Sequence, residues 1–210
     1  QYDGSYEHWL EDRGGTGELC LLAAIDDATS TVPYAHLTTN EGVLPTMGFW
    51  REYIENYGLP ESIYLDKFST YRMHMKIAAE NPDTRTQFGR AMKELHVDLI
   101  FANSPQAKGR VERLFKTLQD RLIKELRLRG IASIQAANQF IKKIFLPRFN
   151  QRFGQPAKTS GNAHRPLTTR ERDELTAVLC REDTRTLTND FTIPHGQRWY
   201  QLLPSPRLAL

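Results

Sequence analysis

The chain has 210 residues, of which 40% are hydrophobic and 25% charged, with a formal net charge of +3. That length suits one α/β domain with a sizeable core plus a small appendage, and the balance is that of an ordinary soluble globular protein. The longest apolar run, residues 19–25, is too short to cross a membrane, and the two isolated cysteines, Cys20 and Cys180, make neither a disulfide framework nor a zinc pattern. No charged-then-apolar leader opens the chain. It starts on Gln1 and runs straight into patterned sequence, so a piece of a longer protein is expected, in a reducing cytoplasmic setting.

In chain order, residues 1–10 read as a strand and 11–17 (EDRGGTG) as a glycine-rich turn. Residues 19–25 (LCLLAAI) form a continuous apolar run, the mark of a strand buried on both faces, with Cys20 as a small core residue. After the turn 26–30 (DDATS), residues 31–39 read as a third strand, and the three predict an antiparallel meander. Residues 41–57 carry Val43, Met47, Trp50 and Ile54 at helical spacing, and Gly58 with Pro60 stops that helix. Residues 62–65 (SIYL) are a short strand leading into Asp66. Residues 67–86 read as loop with a turn of helix, 87–95 as a short helix and 97–101 as a strand.

Ser104 and Pro105 suit the cap and first position of a long helix running to about Leu128. Its apolar face is Val111, Leu114, Phe115, Leu118 and Leu122, and Gly130 ends it. A second amphipathic helix is expected over 133–149, a connector over 150–166, and a short helix over 168–179 with Thr168 and Glu171 as a capping pair. The last thirty residues turn to strand-like alternation. The order predicts a mixed sheet flanked by helices, divided as a catalytic core over 1–149, a linker with a short helix over 150–180, and the beginning of a small β subdomain over 181–210.

Three acids stand out by position. Asp3 lies in the first strand. Asp66 follows a strand at its C-terminal end, where α/β sheets present functional groups. Glu112 lies on the polar side of the long helix, beside its apolar stripe. Carboxylate oxygens suit hard divalent cations, and a pair of such ions can clamp an in-line phosphoryl displacement. Taken singly, each acid also suits a plainer role: Asp66 in a turn, Asp3 at a strand edge, Glu112 as a helix partner of Lys108 or Lys116. Asp26 and Asp27, after the buried second strand, compete with Asp3 for a place in any metal site. His8, His74 and His96 lack ligand-like spacing. Residues 104–130 hold eight basic residues against three acidic ones, the footprint of a phosphate-binding helix.

The run NSPQAKGRVERLFKTLQDRLIKELRL, together with QYDGSYEHWLEDRG, LLAAIDDATSTV and SIYLDKFSTY in that order, resembles the insertion-sequence transposases of the ISNCY type with a retroviral-integrase-like core. The resemblance covers 1–149. It implies a ribonuclease H-like fold with a five-stranded mixed sheet, and an Asp-Asp-Glu triad of Asp3, Asp66 and Glu112. It implies two Mg²⁺ or Mn²⁺ ions, and DNA strand cleavage and transfer at transposon ends. A homodimer or higher assembly on DNA follows, because two ends must be joined, and no membrane is involved. The interval between Asp66 and Glu112, forty-five residues, exceeds the family's commonest spacing, and the polar stretch 73–85 fits as the surplus.

The resemblance also places Lys116 and Gln119, one and two turns beyond Glu112, against a DNA end, with Lys108, Arg110 and Arg113 as further phosphate contacts. Such contacts give affinity and salt dependence without sequence choice, so binding is expected to be largely non-specific. The competing expectations are a ribonuclease H-type nuclease and a catalytically silent DNA-binding module derived from a transposase.

Overall fold

The computed structural model describes residues 1–65, 87–101 and 109–203. They divide into two units, Gln1–Cys180 and Arg181–Leu210. Asp66, the stretch 73–85, His74, the Ser104-Pro105 helix start and Lys108 lie outside the described residues.

The larger unit is built on three antiparallel strands in the order β1 (Tyr2–Glu7), β2 (Leu19–Ala24), β3 (Tyr34–Thr38). This is the expected meander, with Asp3 paired to Ala23 and Leu22 to His36. Successive side chains of a strand point to opposite faces, and each face of β2 has its own core. Cys20, Leu22 and Ala24 join one apolar cluster; Leu19, Leu21 and Ala23 join the other. That double burial is why the β2 sequence is apolar without alternation.

The first cluster is covered by α1 (Val43–Tyr57), whose Phe49 and Trp50 pack on Tyr2 with ring centroids 5.0 and 5.2 Å apart. The helix stops at Gly58, as the sequence predicts, with φ +88°. A Cβ there would lie 2.5 Å from the Arg165 carbonyl oxygen, so only glycine fits. The close approach comes from the short ladder of β4 (Leu59–Pro60) with β7 (His164–Arg165). A parallel pair, β5 (Ser62–Leu65) and β6 (Asp98–Phe101), is linked to α2 (Gln87–Glu94). Thus the sheet expected with five strands is described here as a three-stranded and a two-stranded ladder, with β1 beside β5. The unit closes with α6 (Thr169–Val178), capped reciprocally by Thr168 and Glu171 as the sequence suggests.

The second cluster is covered by α3 (Gly109–Leu128) and by a helical run through α4 (Ile134–Phe140), a π turn (Ile141–Phe145) and α5 (Leu146–Phe153). The run goes beyond the expected end at 149. Its π turn has a covalent reason: Pro147 lacks an N–H, and in a regular α turn its ring would strike the Lys143 carbonyl.

Two asparagines of this run clamp the outer edge of the β3 segment. Asn138 Oδ1 accepts from Leu37 N at 2.7 Å and its Nδ2 donates to Leu37 O at 2.9 Å. Asn150 does the same for Val32, at 2.7 and 2.9 Å. Each side-chain amide stands in for a missing neighbour strand and hides the open edge. Removing one leaves a backbone N–H and C=O without partners, so Asn138→Ala or Asn150→Ala should each cost about 1–3 kcal/mol. The urea midpoint reads this directly, and an unchanged midpoint would dismiss the clamp.

His36 sits between the Tyr34 hydroxyl, 3.1 Å from Nδ1, and the Asn138 amide, 3.3 Å from Nε2. Burial lowers its pKa, against the pull of Glu52 and with the help of Lys142. The unfolded chain therefore takes up this proton first. Stability should be fully present above the unfolded value near 6.5 and be lost as pH falls below it. His164, whose pKa burial also lowers, acts in the same direction. Chemical unfolding at pH 7.5 and 5.5 should show a lower midpoint in acid, with part of the drop removed in His36→Gln.

In the smaller unit, β8 (Thr192–His195) and β9 (Arg198–Gln201) form a hairpin. Its two-residue turn, Gly196 and Gln197, has φ +55° and +61°, the combination that matches hairpin twist. Among the described residues, no helix is long and apolar enough to cross a membrane.

Candidate carboxylate site on β1 and α3

Asp3 occupies the β1 face that looks toward α3. Alternation puts Gln1, Asp3 and Ser5 on one side of the strand and Tyr2 on the α1 side. Two hydrogen bonds fix α3 across that side. Val111 N donates to Gln1 Oε1 at 3.3 Å, and Gln119 Nε2 donates to Ser5 Oγ at 3.1 Å. Asp3 lies midway between these anchors along the strand. Its paired neighbour, Ala23, belongs to the core cluster that α3 covers.

Glu112 follows the first anchor by one residue and precedes the second by seven, so Glu112, Lys116 and Gln119 share one stripe of the helix. The stripe borders the buried row of Val111, Leu114, Phe115, Leu118 and Leu122, which packs as the sequence predicts. Glu112 is exposed, and among the described residues it has neither a hydrogen bond nor an ion pair. Lys116 is exposed as well, and Glu112 is not its partner. Asp3 Oδ1 accepts from Gly4 N at 3.1 Å.

The opposite face of the strand also carries an acid. A Cβ on Gly4 would lie 2.6 Å from a Glu41 carboxylate oxygen, so this carboxylate rests on the strand next to Asp3. Burial pushes the Cys20 thiol up to about 12, and Glu41 and Asp3 add to the effect. Glu41 has no signature in the sequence, because its place depends on how the segment before α1 folds over β1.

Asp26 and Asp27 are committed to their turn. Asp26 accepts from Ala28 N and the Thr29 hydroxyl, both at 2.8 Å. Asp27 Oδ1 pairs with Arg110 Nε at 3.0 Å, and Arg110 also donates to Asp27 O and Ser30 Oγ. Arg110, expected among the phosphate contacts, thus holds this turn. The rest of the basic stripe sorts the same way. Lys124 pairs with Asp120, Arg127 with Glu11 and Arg129 with Glu125. Among the described residues of α3, Arg113, Lys116 and Arg121 are the basic residues left without an ion pair. His8 is exposed and His96 takes φ +55° in the turn after α2.

Among the described residues, no cluster of three or more His, Cys, Asp and Glu side chains is placed to hold a metal ion. The donor chemistry nevertheless fits one: Asp3 and Glu112 are carboxylates on facing elements, and no cation among the described residues neutralises Glu112.

No family model matches the chain. It is 41% identical over 185 residues to "Putative transposase y4bF" of Sinorhizobium fredii, a match covering 88% of this chain and 39% of that protein. The chain is related to the transposases of insertion sequences. A second relative, the transposase for insertion sequence IS1202 of Streptococcus pneumoniae, is 32% identical over 202 residues, covering 95% of this chain and 41% of that one. The chain therefore spans about two fifths of the length of these relatives. Among solved structures, a chain of the simian T-cell lymphotropic virus intasome in complex with PP2A regulatory subunit B56 gamma is similar at 18% identity and TM-score 0.49. That match covers 68% of this chain and 48% of the other.

Proposed function

We propose that the chain is the catalytic core of a DNA transposase, a polynucleotidyl transferase in which Asp3, Asp66 and Glu112 hold two Mg²⁺ or Mn²⁺ ions. The observation that carries this reading is the placement of Asp3 under α3, between the Gln1–Val111 and Ser5–Gln119 bonds, with Glu112 on the stripe that faces it. The proposed frame is a ribonuclease H-like sheet in the order β3, β2, β1, β5, β6, supported by β1 lying beside β5. Asp66, which follows β5 directly in the sequence, is the third acid of the proposed set. Relatedness to transposases supports the reaction class.

The reaction is in-line displacement at phosphorus. A 3′-hydroxyl oxygen of one strand forms the new P–O bond while the bond to the leaving oxygen of the other strand breaks. Bound divalent metal supplies Lewis-acid stabilisation of the attacking and leaving oxygens. The chain's own residues position and neutralise. Asp3 and Glu112 present hard oxygen donors from elements held by backbone ladders and by core packing, and Asp66 would complete the set. The Gln119–Ser5 bond keeps α3 seated on β1, which maintains the spacing of Glu112 from Asp3. Lys116, one turn beyond Glu112, brings an uncommitted ammonium to the phosphates.

Partners on this reading are transposon ends and target DNA, with two or more copies of the chain assembled so that both ends are joined, in the cytoplasm. The test is incubation with supercoiled plasmid and an oligonucleotide duplex in Mg²⁺ or Mn²⁺. Joined product supports strand transfer. Cleavage confined to the RNA strand of a hybrid would mean a ribonuclease, and DNA binding without metal-dependent nicking or joining would mean a silent module.

A further inference from the structure

We propose that the groove between α3 and α5 is a second nucleic-acid contact, a phosphodiester-binding track formed by Arg121, Arg148 and Arg152 and separate from the carboxylate site. The inference rests on nucleic acid being the substrate. On α3, Glu112, Lys116 and Gln119 flank the buried row on the β1 side. Arg113, Thr117, Arg121 and Lys124 flank it on the other side, since steps of three and four residues stay on one face of a helix. That second flank faces α5, and the space between them is a groove of about 440 Å³.

Its charge is uncommitted. The acids that line it are taken: Asp120 by Lys124 and Glu125 by Arg129. Among the described residues Arg121, Arg148 and Arg152 have no carboxylate partner. Arg121 is also held in place. Its guanidinium lies over the Phe153 ring, 5.0 Å from the centroid, and Arg152 lies against the same ring at 5.5 Å. Arg121 Nε is buried with no hydrogen-bond acceptor. Three guanidiniums without a carboxylate partner, two of them preset by one ring, present standing positive charge along the groove.

The aromatic lining decides which anion. Phe140, Phe145 and Phe149 are buried in the core, and Phe153 is covered by the two arginines. The groove therefore offers guanidinium groups rather than open ring faces, which suits a phosphate backbone and not stacked bases. Arg148 and Arg152, four residues apart on one helix face, present adjacent forks for successive phosphate oxygens. Contacts of this kind carry affinity without sequence choice.

The experiment is anisotropy titration of a labelled duplex of arbitrary sequence, without metal, across a salt series. Arg148→Gln/Arg152→Gln is a surface change that spares the core. It should weaken binding and flatten the plot of log affinity against log salt by about 2, with nearly 1 more when Arg121→Gln is added. The matching lysine variants, which keep the charge, should retain the slope. Glu112→Gln should not reduce it. Unchanged affinity and slope in the arginine variants would overturn the groove, and if the parent chain still joins DNA in metal the catalytic reading survives. A lost slope in a chain that never joins DNA keeps the groove and ends the catalytic reading. Polyglutamate that binds as tightly as the duplex, with the same loss in the variants, would mean a carboxylate partner and would also overturn the proposal.

Discussion

Glu112→Gln should leave the chain folded and DNA-bound while lowering metal-dependent strand joining by about 10³-fold or more. The substitution keeps the size of the side chain and removes its charge. Glu112 is exposed and has no partner among the described residues, so stability should stay within about 0.5 kcal/mol. A carboxylate that holds metal contributes several kcal/mol of transition-state stabilisation, and each 1.36 kcal/mol is about tenfold in rate. Asp3→Asn should lower joining in the same way, because Asp3 faces the same helix from β1, while its carboxylate also accepts from Gly4 N. The pair of readouts is what tests the assignment: joining measured in Mg²⁺ and Mn²⁺, and melting temperature measured without metal. Unchanged joining by Glu112→Gln would remove Glu112 from the site.

Phe49→Ala should act through the opposite route, costing about 3–5 kcal/mol of stability. Phe49 is 1% exposed and sits among Tyr2, Tyr34 and Trp50, with centroids 5.0, 4.9 and 5.5 Å away. The surrounding rings on β1, β3 and α1 leave a cavity when Phe49 is truncated. Against a total stability of about 5–15 kcal/mol this is a large fraction. Joining should fall together with the unfolding midpoint, whereas in Glu112→Gln it falls alone. A midpoint within about 1 kcal/mol of the parent would show that the aromatic cluster is not what holds β1.

Much of the fold can be read from the chain because its determinants are local or periodic. The β2 run LCLLAAI announces burial on both faces. The α3 stripe from Val111 to Leu122 announces one packed face. Gly58 stops α1, and Thr168 with Glu171 starts α6. These signals need only the covalent chain and its own water exposure. The same holds for the candidate acids on β1 and α3, where strand alternation and helical spacing decide which side each residue takes.

Pairings between distant residues have no such signature, and only the tertiary structure decided them. Asn138 and Asn150 are ordinary amides in sequence, yet they close the edge of the β3 segment across a separation of about a hundred residues. The eight basic residues of 104–130 look alike in sequence. Folding divides the described ones into Arg110 on a turn, several cations on carboxylates, and Arg113, Lys116 and Arg121 left over. The sequence by itself determined which side chains could carry chemistry, because residue type and local period suffice for that. Which of them are free to do so was decided by the tertiary structure, because a charge is uncommitted only when the fold brings it no partner.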